Sequence, residues 1–124
     1  MPSDKPKIIY AEDQESIARL VEYKLTKEGY DLTVLTSGEK VVEIVEKIMP
    51  DLVLLDMMLP IKDGMMILEE LKSNEKVKNI PVIVLSVHAE EQKVLQAFNI
   101  GAVDYIQKPF STAELATRIR KALA

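Results

Sequence analysis

The stretch DLVLLDMMLP, residues 51–60, ends an apolar run with a charged side chain and then becomes apolar again. The four aliphatic residues from Leu52 to Leu55 predict a strand that is covered on both faces, as in the middle of a parallel sheet. Asp56 follows directly, and a carboxylate at such a position costs free energy unless other groups pair with it. We therefore expect partners for Asp56 to come from other parts of the chain.

The same strand character returns at regular intervals along the chain. Five short β-like runs alternate with five segments in which apolar residues recur with the helical period of 3.6. The predicted strands are Lys7–Ala11, Asp31–Leu35, Leu52–Leu55, Pro81–Leu85 and Ala102–Ile106, and the predicted helices cover residues 15–28, 37–48, 64–73, 89–99 and 112–123. STAE at 111–114 is a capping box that opens the last helix, and TSGE at 36–39 is a candidate for a second one. Five β–α units predict an α/β fold with helices on both faces of a parallel sheet.

The strand sequences also predict the order of the sheet. The first, third and fourth strands are almost continuously apolar, which is typical of central strands, whereas the second and fifth alternate as edge strands do. With right-handed crossovers this gives a doubly wound, five-stranded, flavodoxin-like sheet of order 2-1-3-4-5. In that order the connections leaving the first and third strands diverge, and ligands of open α/β sheets bind at such a switch point.

Polar side chains are concentrated at the carboxyl ends of the predicted strands. Glu12 and Asp13 follow the first strand, Asp56 the third and Ser86 the fourth, and the fifth leads to Lys108. Because these ends meet at one edge of a parallel sheet, we expect three carboxylates, a hydroxyl and an ammonium group to converge there.

This combination of groups fits phosphoryl transfer to an aspartate. Clustered carboxylates bind hard cations such as Mg²⁺ through oxygen, and an aspartate can act as the nucleophile toward phosphorus. The reaction then needs charge neutralisation and positioning, which a metal ion, a lysine and a hydroxyl group supply. The formal charges of the three carboxylates, Lys108 and Mg²⁺ balance. The sequence therefore predicts that Asp56 is a phosphate acceptor in a Mg²⁺ site.

Taken singly, these residues also have ordinary structural explanations. Asp13 or Glu15 can cap the first helix, and Ser86 can cap the fourth. Lys108 can be a surface lysine, and His88, the only histidine, is expected to be exposed at a helix start. It is the joint placement of the polar residues at the ends of four strands that favours a site.

Together the motifs resemble the receiver domain of two-component response regulators over essentially the whole chain. The matching segments are IIYAEDQE at 8–15, PDLVLLDMMLPIKDG at 50–64, IPVIVLS at 80–86 and GAVDYIQKPF at 101–110. The resemblance implies that Asp56 receives a phosphoryl group from the phosphohistidine of a sensor histidine kinase or a phosphotransfer protein. The residues it implies for the site are Glu12, Asp13, Asp56 and the backbone carbonyl of Met58 as Mg²⁺ ligands, Ser86 and Lys108 as contacts of the phosphoryl oxygens, and Ser86 and Tyr105 as switch residues.

The resemblance has three further implications. It implies a cis peptide between Lys108 and Pro109. It also implies that phosphorylation changes the surface of the fourth helix, fifth strand and fifth helix, which is a possible homodimer interface. Polar candidates on that surface are Glu90, Asp104, Arg118 and Lys121, and kinase docking is expected on the first helix around Ser16, Arg19 and Glu22. Tyr105 has an equally good explanation as packing on an edge strand.

Some positions depart from the commoner family pattern. Val87 stands where a small residue is usual, Ser86 stands where threonine is frequent, and Met58 and His88 occupy the variable positions that flank the site. Val87 is stiff at χ1 and Met58 can cover the site without orienting a water. Val87 and Met58 predict slow loss of the phosphoryl group. His88 has the opposite effect, because an imidazole can position the attacking water, but its expected exposure makes this the weaker effect.

Composition and local sequence limit the alternatives. The chain has 16 basic and 20 acidic residues, a net charge of −4, and its basic residues are scattered, so we expect no direct nucleic-acid binding by this domain. A polar start, the absence of cysteine and the absence of a long apolar stretch favour a cytoplasmic protein without a membrane partner. We expect one receiver domain at 7–124 after a mobile N-terminus at 1–6.

Two of three rival functions require residues that this chain lacks. A flavin binder needs a Ser/Thr/Gly-rich loop after the first strand, where this chain has AEDQE, and an aspartate-nucleophile phosphatase needs a second aspartate where this chain has Met58. A pseudo-receiver that is never phosphorylated and acts as a protein-interaction module remains the alternative. We expect no enzyme with a separate substrate, because the domain would assist only its own phosphorylation and dephosphorylation.

Overall fold

The alternation of strands and helices is realised as a single parallel sheet between helices. The computed structural model describes residues 5–124. Its strands are β1 (Lys7–Ala11), β2 (Asp31–Leu35), β3 (Leu52–Asp56), β4 (Val82–Ser86) and β5 (Asp104–Gln107). Its helices are α1 (Glu15–Lys27), α2 (Val41–Ile48), α3 (Gly64–Ser73), α4 (Glu91–Ile100) and α5 (Thr112–Leu123).

All five strands pair in parallel in the order β2-β1-β3-β4-β5, which confirms the predicted order. β1, β3 and β4 occupy the centre, where β3 and β4 are buried along their whole length. β2 and β5 form the edges and are only partly covered. The connections that leave β1 and β3 diverge, and so a crevice opens between their carboxyl ends.

Side chains of each central strand point alternately to two separate apolar cores. One core lies between the sheet and helices α2, α3 and α4. The other lies between the sheet and helices α1 and α5, and it includes Tyr10 of β1. Burial on both faces explains why the central strands are continuously apolar rather than alternating.

The predicted capping box at 36–39 is wrong, because α2 begins at Val41 and has no side-chain cap. Residues 36–40 form a turn in which the amide of Gly38 donates to the carbonyl oxygen of Pro60. A Cβ at Gly38 would collide with the carbonyl oxygen of Lys62, so only glycine permits this close approach of two loops. The capping box at 111–114 is confirmed in part, since the Ser111 hydroxyl accepts from the Glu114 amide.

The other differences between predicted and observed elements are shifts of one or two residues. β3 and β4 extend to Asp56 and Ser86, so these polar residues are the last strand residues rather than the first loop residues. β5 begins at Asp104, because the Ala102 amide still donates to Ala97 and thereby closes the end of α4. α4 begins at Glu91, two residues later than predicted.

The amino-terminal prediction concerns residues 1–6. Residues 1–4 lie outside the described part of the chain, so their predicted mobility stays a prediction. The carbonyl oxygen of Pro6 accepts a hydrogen bond from the Asp31 amide, directly before the first pair of β1 and β2. Within residues 5–124 no helix is long and apolar enough to cross a membrane.

Candidate functional site

The carboxyl ends of β1, β3, β4 and β5 bring the predicted polar residues to one edge of the sheet. Glu12 and Asp56 are 0% and 3% exposed, Ser86 is 1% exposed, and Lys108 is 8% exposed. Glu12, Asp56 and Lys108 are the only residues with charged side chains that are buried in the described part of the chain. The buried charges among the described residues therefore lie at a single place.

Lys108 is held between two carboxylates that come from different strands. Its Nζ donates to Glu12 Oε1 at 2.8 Å and to Asp56 Oδ2 at 3.0 Å. Its backbone amide donates to the carbonyl oxygen of Ser86, which fixes the chain beside β4. The following peptide bond, to Pro109, is cis, as the resemblance implied. Lys108 thus supplies the partner that the sequence of β3 demands for Asp56.

The pKa shifts in this cluster follow from burial and charge. Burial raises the pKa of the Glu12 carboxyl, and its contact with Asp56 raises it as well, whereas Lys108 acts in the opposite direction. Burial by itself would lower the pKa of Lys108, but the hydrogen bonds to Glu12 and Asp56 outweigh it and the pKa is raised. Lys108 is therefore charged at neutral pH, and its single positive charge faces two carboxyl groups.

The acidic residues fit a divalent cation. Glu12, Asp13 and Asp56 each offer a carboxylate oxygen, and these three oxygens lie within 4.8 Å of one another. A carboxylate has about four acceptor positions; Asp56 uses two of them, for Lys108 and for the Met58 amide. Glu12 uses three, so it fits indirect ligation through one of the waters that Mg²⁺ retains. Asp13 is exposed beside them and fits a direct ligand.

The loop after β3 is folded tightly around the acceptor. The Met58 amide donates to Asp56 Oδ1 at 3.0 Å, and this loop also carries the carbonyl of Met58 that was predicted as a metal ligand.

Ile61 has a φ of 71° and sits at the centre of a γ-turn closed by the Lys62 amide and the Pro60 carbonyl. A β-branched residue in this region is strained, and such γ-turns are rare. The strain lies five residues from Asp56, as strain near functional sites often does.

An open cleft of about 310 Å³ leads to this cluster. Its lining residues are Asp13, Gln14, Asp56, Met58, Val87 and Lys108. Met58 and Val87 are 57% and 55% exposed beside this cleft, and the shielding of a phosphoryl group by them stays a prediction. A group entering the cleft would meet Asp56 at its base.

The predicted switch residues are linked through the loop between β4 and α4. The Ser86 hydroxyl accepts from the His88 amide at 3.0 Å. The Tyr105 hydroxyl donates to the His88 carbonyl oxygen at 2.7 Å, and its ring packs against the core beneath α4. His88 is only half-exposed and its Nδ1 lies 3.2 Å from Glu90. One backbone segment therefore contacts both predicted switch side chains.

The residues that precede α1 and α4 exclude the helix-capping explanations for Asp13 and Ser86. α1 is preceded by Gln14, which makes no side-chain cap; instead its amide donates to Glu12 Oε2. α4 is preceded by Glu90, so Ser86 does not cap it. Neither Asp13 nor Ser86 thus has the ordinary capping role that could have explained it.

The structure adds one residue that the sequence pattern did not single out. The Tyr10 hydroxyl donates to Glu12 Oε1 at 3.2 Å from within the core. The pattern did contain a signal, because Tyr10 is the one polar-tipped residue in the apolar run from Ile8 to Ala11 and lies two positions before Glu12. Residues two apart in a strand share a face.

Two surfaces outside the cleft bear on the predicted partners. On α1, the residues of the predicted kinase-docking surface, Ser16, Arg19 and Glu22, are exposed. Leu20 and Tyr23 are 65% and 66% exposed beside them. On the surface of α4, β5 and α5, the Arg118 guanidinium donates to Asp104 at 2.8 Å, while Glu90 and Lys121 are exposed. Apolar exposure on α1 was not anticipated from the sequence.

The sequence profile of the response regulator receiver domain family matches residues 8–120 of this chain. The fold is also similar to solved structures. A Francisella response regulator receiver domain is 30% identical with a TM-score of 0.90, and the match covers 96% of this chain and 97% of that one.

Two further structures describe occupied sites in similar chains. The N-terminal receiver domain of RstA from Klebsiella pneumoniae, activated by BeF₃, is 33% identical with a TM-score of 0.87, covering 94% of this chain and 97% of that one. The receiver domain of a Pseudomonas aeruginosa sensor histidine kinase, with magnesium coordinated in its active-site cleft, is 28% identical with a TM-score of 0.87. That match covers 96% of this chain and 98% of the other.

Proposed function

This chain belongs to the response regulator receiver domain family of two-component signalling, and we propose that Asp56 accepts a phosphoryl group from the phosphohistidine of a sensor kinase or phosphotransfer protein. The observation that carries the proposal is the setting of Asp56. Its carboxylate ends a central strand, is 3% exposed, lies 3.0 Å from Lys108 and faces an open cleft beside two further carboxylates. A carboxylate buried for structural reasons alone would need neither the acidic neighbours nor the cleft.

The transfer is a direct displacement at phosphorus. An oxygen of the ionised Asp56 carboxylate forms a bond to phosphorus while the bond from phosphorus to the donor imidazole nitrogen breaks. The imidazole keeps the electron pair of that bond and takes up a proton. Lys108 contacts the phosphoryl oxygens, and Ser86 does so once its loop moves; both roles are positioning and charge neutralisation.

Glu12, Asp13, Asp56 and the Met58 carbonyl would hold Mg²⁺. The bound ion would supply positive charge to the phosphoryl oxygens as they approach the carboxylates. The site combines three carboxylates with a single lysine, so its formal negative charge exceeds its positive charge until a cation binds.

Phosphorylation is proposed to act on the surface of α4, β5 and α5 through the loop that contains His88. A phosphoryl group at Asp56 would draw the Ser86 hydroxyl toward it, which competes with the bond to the His88 amide. The same segment holds the Tyr105 hydroxyl through the His88 carbonyl. The change is a population shift that the phosphoryl group drives by binding one loop position better.

The remaining elements of the proposal concern partners and location. The kinase or phosphotransfer protein docks on α1, and a homodimer forms through the surface of α4, β5 and α5. We propose a cytoplasmic protein whose domain contacts neither nucleic acid nor membrane and turns over no separate substrate. Amide spectra with and without beryllofluoride test the surface, since shifts confined to the loops around Asp56 would contradict it.

The phosphoacceptor is tested by intact mass after incubation with a small acyl-phosphate donor in Mg²⁺. We expect a gain of one phosphoryl group that hydroxylamine removes, because an acyl phosphate is cleaved by this nucleophile. Asp56→Asn should abolish the gain. Asp63→Asn is the matched control, because Asp63 is an exposed cap of α3 in the same loop and asparagine caps a helix equally well.

The pseudo-receiver alternative predicts a different result. If the donor leaves the protein unmodified and beryllofluoride leaves its amide spectrum unchanged, the domain is a protein-interaction module instead. Modification at a residue other than Asp56 would also contradict the proposal.

A further inference from the structure

Tyr10, the buried tyrosine of β1, contacts a carboxylate of the proposed phosphoryl site from within the core. Tyr10 is 0% exposed, and its hydroxyl donates to Glu12 Oε1 at 3.2 Å. Burial and the neighbouring charge of Glu12 raise the pKa of this hydroxyl, so it stays protonated and remains a donor. A buried tyrosine hydroxyl normally finds a partner, but here the partner is a carboxylate of the site rather than a backbone group.

Glu12 is consequently held by three donors of the chain. Tyr10 and Lys108 share Oε1, and the Gln14 amide donates to Oε2 at 3.2 Å. Each hydrogen bond withdraws negative charge from the carboxylate and restricts its rotation. A carboxylate so engaged attracts both Lys108 and a nearby metal ion less strongly than a free one would.

The strength with which Glu12 attracts Lys108 matters because Lys108 has two carboxylate partners. It lies 2.8 Å from Glu12 and 3.0 Å from Asp56, so the two carboxylates compete for it at nearly equal distance. A stronger hold by Glu12 would keep the ammonium group on the β1 side of the cleft. Its contact with the phosphoryl group on Asp56 would then be weaker.

We propose that Tyr10 is a positioning residue for phosphoryl transfer, whose hydroxyl restrains Glu12 so that Lys108 remains available to the group on Asp56. The inference rests on the proposed function for the identity of that group. It assigns to one buried hydroxyl two opposite effects: it weakens metal binding by Glu12, and it strengthens binding of the phosphoryl group by Lys108.

Tyr10→Phe removes the hydroxyl and keeps the ring that fills the core. Mg²⁺ affinity is measured by calorimetry, and beryllofluoride affinity is measured from amide spectra at saturating Mg²⁺. We expect Mg²⁺ to bind more tightly and beryllofluoride more weakly, each by roughly three- to tenfold, the range that one hydrogen bond accounts for. The rate of phosphorylation by a small acyl-phosphate donor should fall by a similar factor.

The opposite signs distinguish positioning from structural damage. Loss of packing would lower the affinities for Mg²⁺ and for beryllofluoride together. The proposal would therefore be overturned if the two affinities changed in the same direction or if neither changed. Tyr30→Phe is the matched control, because Tyr30 is also buried on this face but precedes β2 at the opposite end of the sheet. It should leave both affinities at the parental values.

A double-mutant cycle tests whether Tyr10 acts through Glu12. In a Glu12→Gln background the neutral amide holds Lys108 weakly, and Tyr10→Phe should then change neither affinity by more than about twofold. A full effect in that background would contradict action through Glu12. Failure of the proposed function would look different: the parent would bind neither beryllofluoride nor a phosphoryl group, while the Mg²⁺ measurements would still decide the effect of Tyr10 on Glu12.

Discussion

Removal of Lys108 is the most direct perturbation of the electrostatics of the site. Its Nζ lies 2.8 Å from Glu12 and 3.0 Å from Asp56, and its side chain is 8% exposed. Lys108→Met keeps most of the side-chain volume and leaves two buried carboxylates without a cation. Removing one partner of a buried ion pair costs about 3–5 kcal/mol. Because Asp56 borders an open cleft that admits water, we expect the lower end of that range, about 3 kcal/mol of unfolding free energy.

Thermal unfolding with chelator and with saturating Mg²⁺ measures this effect. In chelator, Lys108→Met should melt roughly 10 °C below the parent. Mg²⁺ should reduce the deficit, since a divalent cation bound only to the folded state supplies part of the missing charge. Lys72→Met is the matched control: the Lys72 ammonium donates to the carbonyl oxygens of Lys78 and Ile80, so its loss should not respond to Mg²⁺.

Two results would refute the reasoning about Lys108. A variant as stable as the parent in chelator would show that the lysine does not compensate the carboxylates. An equal deficit with and without Mg²⁺ would mean that lost packing, not charge, sets the effect. Adding Asp56→Asn should restore part of the stability, because it removes one of the two unpaired charges.

Three further predictions concern pH, phosphoryl lifetime and backbone strain. The raised pKa of Glu12 means that its contribution to stability is fully present below about pH 4.3 and is lost as the pH rises through the folded-state pKa. The metal-free stability of Glu12→Gln relative to the parent should therefore increase from acid to neutral pH in urea unfolding, and a constant difference would contradict this. Val87→Ala should speed the decay of phosphorylated protein about tenfold, equivalent to ~1.4 kcal/mol of barrier, because a stiff side chain at the cleft mouth is removed; decay at the parental rate would exclude shielding by Val87. Ile61→Gly should raise the unfolding free energy by about 0.5–1 kcal/mol, since the cost of a positive φ at isoleucine exceeds the entropy cost of glycine; a lower denaturation midpoint would show that no strain is stored there.

The site could be predicted from the sequence because the apolar pattern of the strands predicts their order in the parallel sheet. That order places the side chains at the carboxyl ends of the strands along one edge. Asp56 and Lys108 are 52 positions apart, yet they stand at the ends of the third and fifth predicted strands of one parallel sheet, whose carboxyl ends lie at the same edge. The start of α2 was not predictable in the same way. It depends on the contact of Gly38 with the loop at 60–62, and a close approach of two irregular segments leaves no periodic signal.

The hydrogen bond from Tyr10 to Glu12 was only partly predictable from the sequence. Its two-residue spacing was visible, but a tyrosine in an apolar strand is ordinarily read as core. That its hydroxyl reaches a carboxylate depends on the depth of the ring in the core between the sheet and helices α1 and α5. Strain at Ile61 likewise follows from a backbone angle that residue type alone would not suggest, since isoleucine disfavours it.

The bond between Lys108 and Glu12 joins groups that are 96 positions apart, and this has a consequence for biosynthesis. A growing chain contains Glu12, Asp13 and Asp56 long before Lys108 is added. Until β5 is in place beside β4, the carboxylates have no cation from the chain and nothing fixes the edge of the sheet. Under the proposed function, a nascent chain on the ribosome would therefore offer a kinase no finished acceptor, and only a completed domain would be phosphorylated.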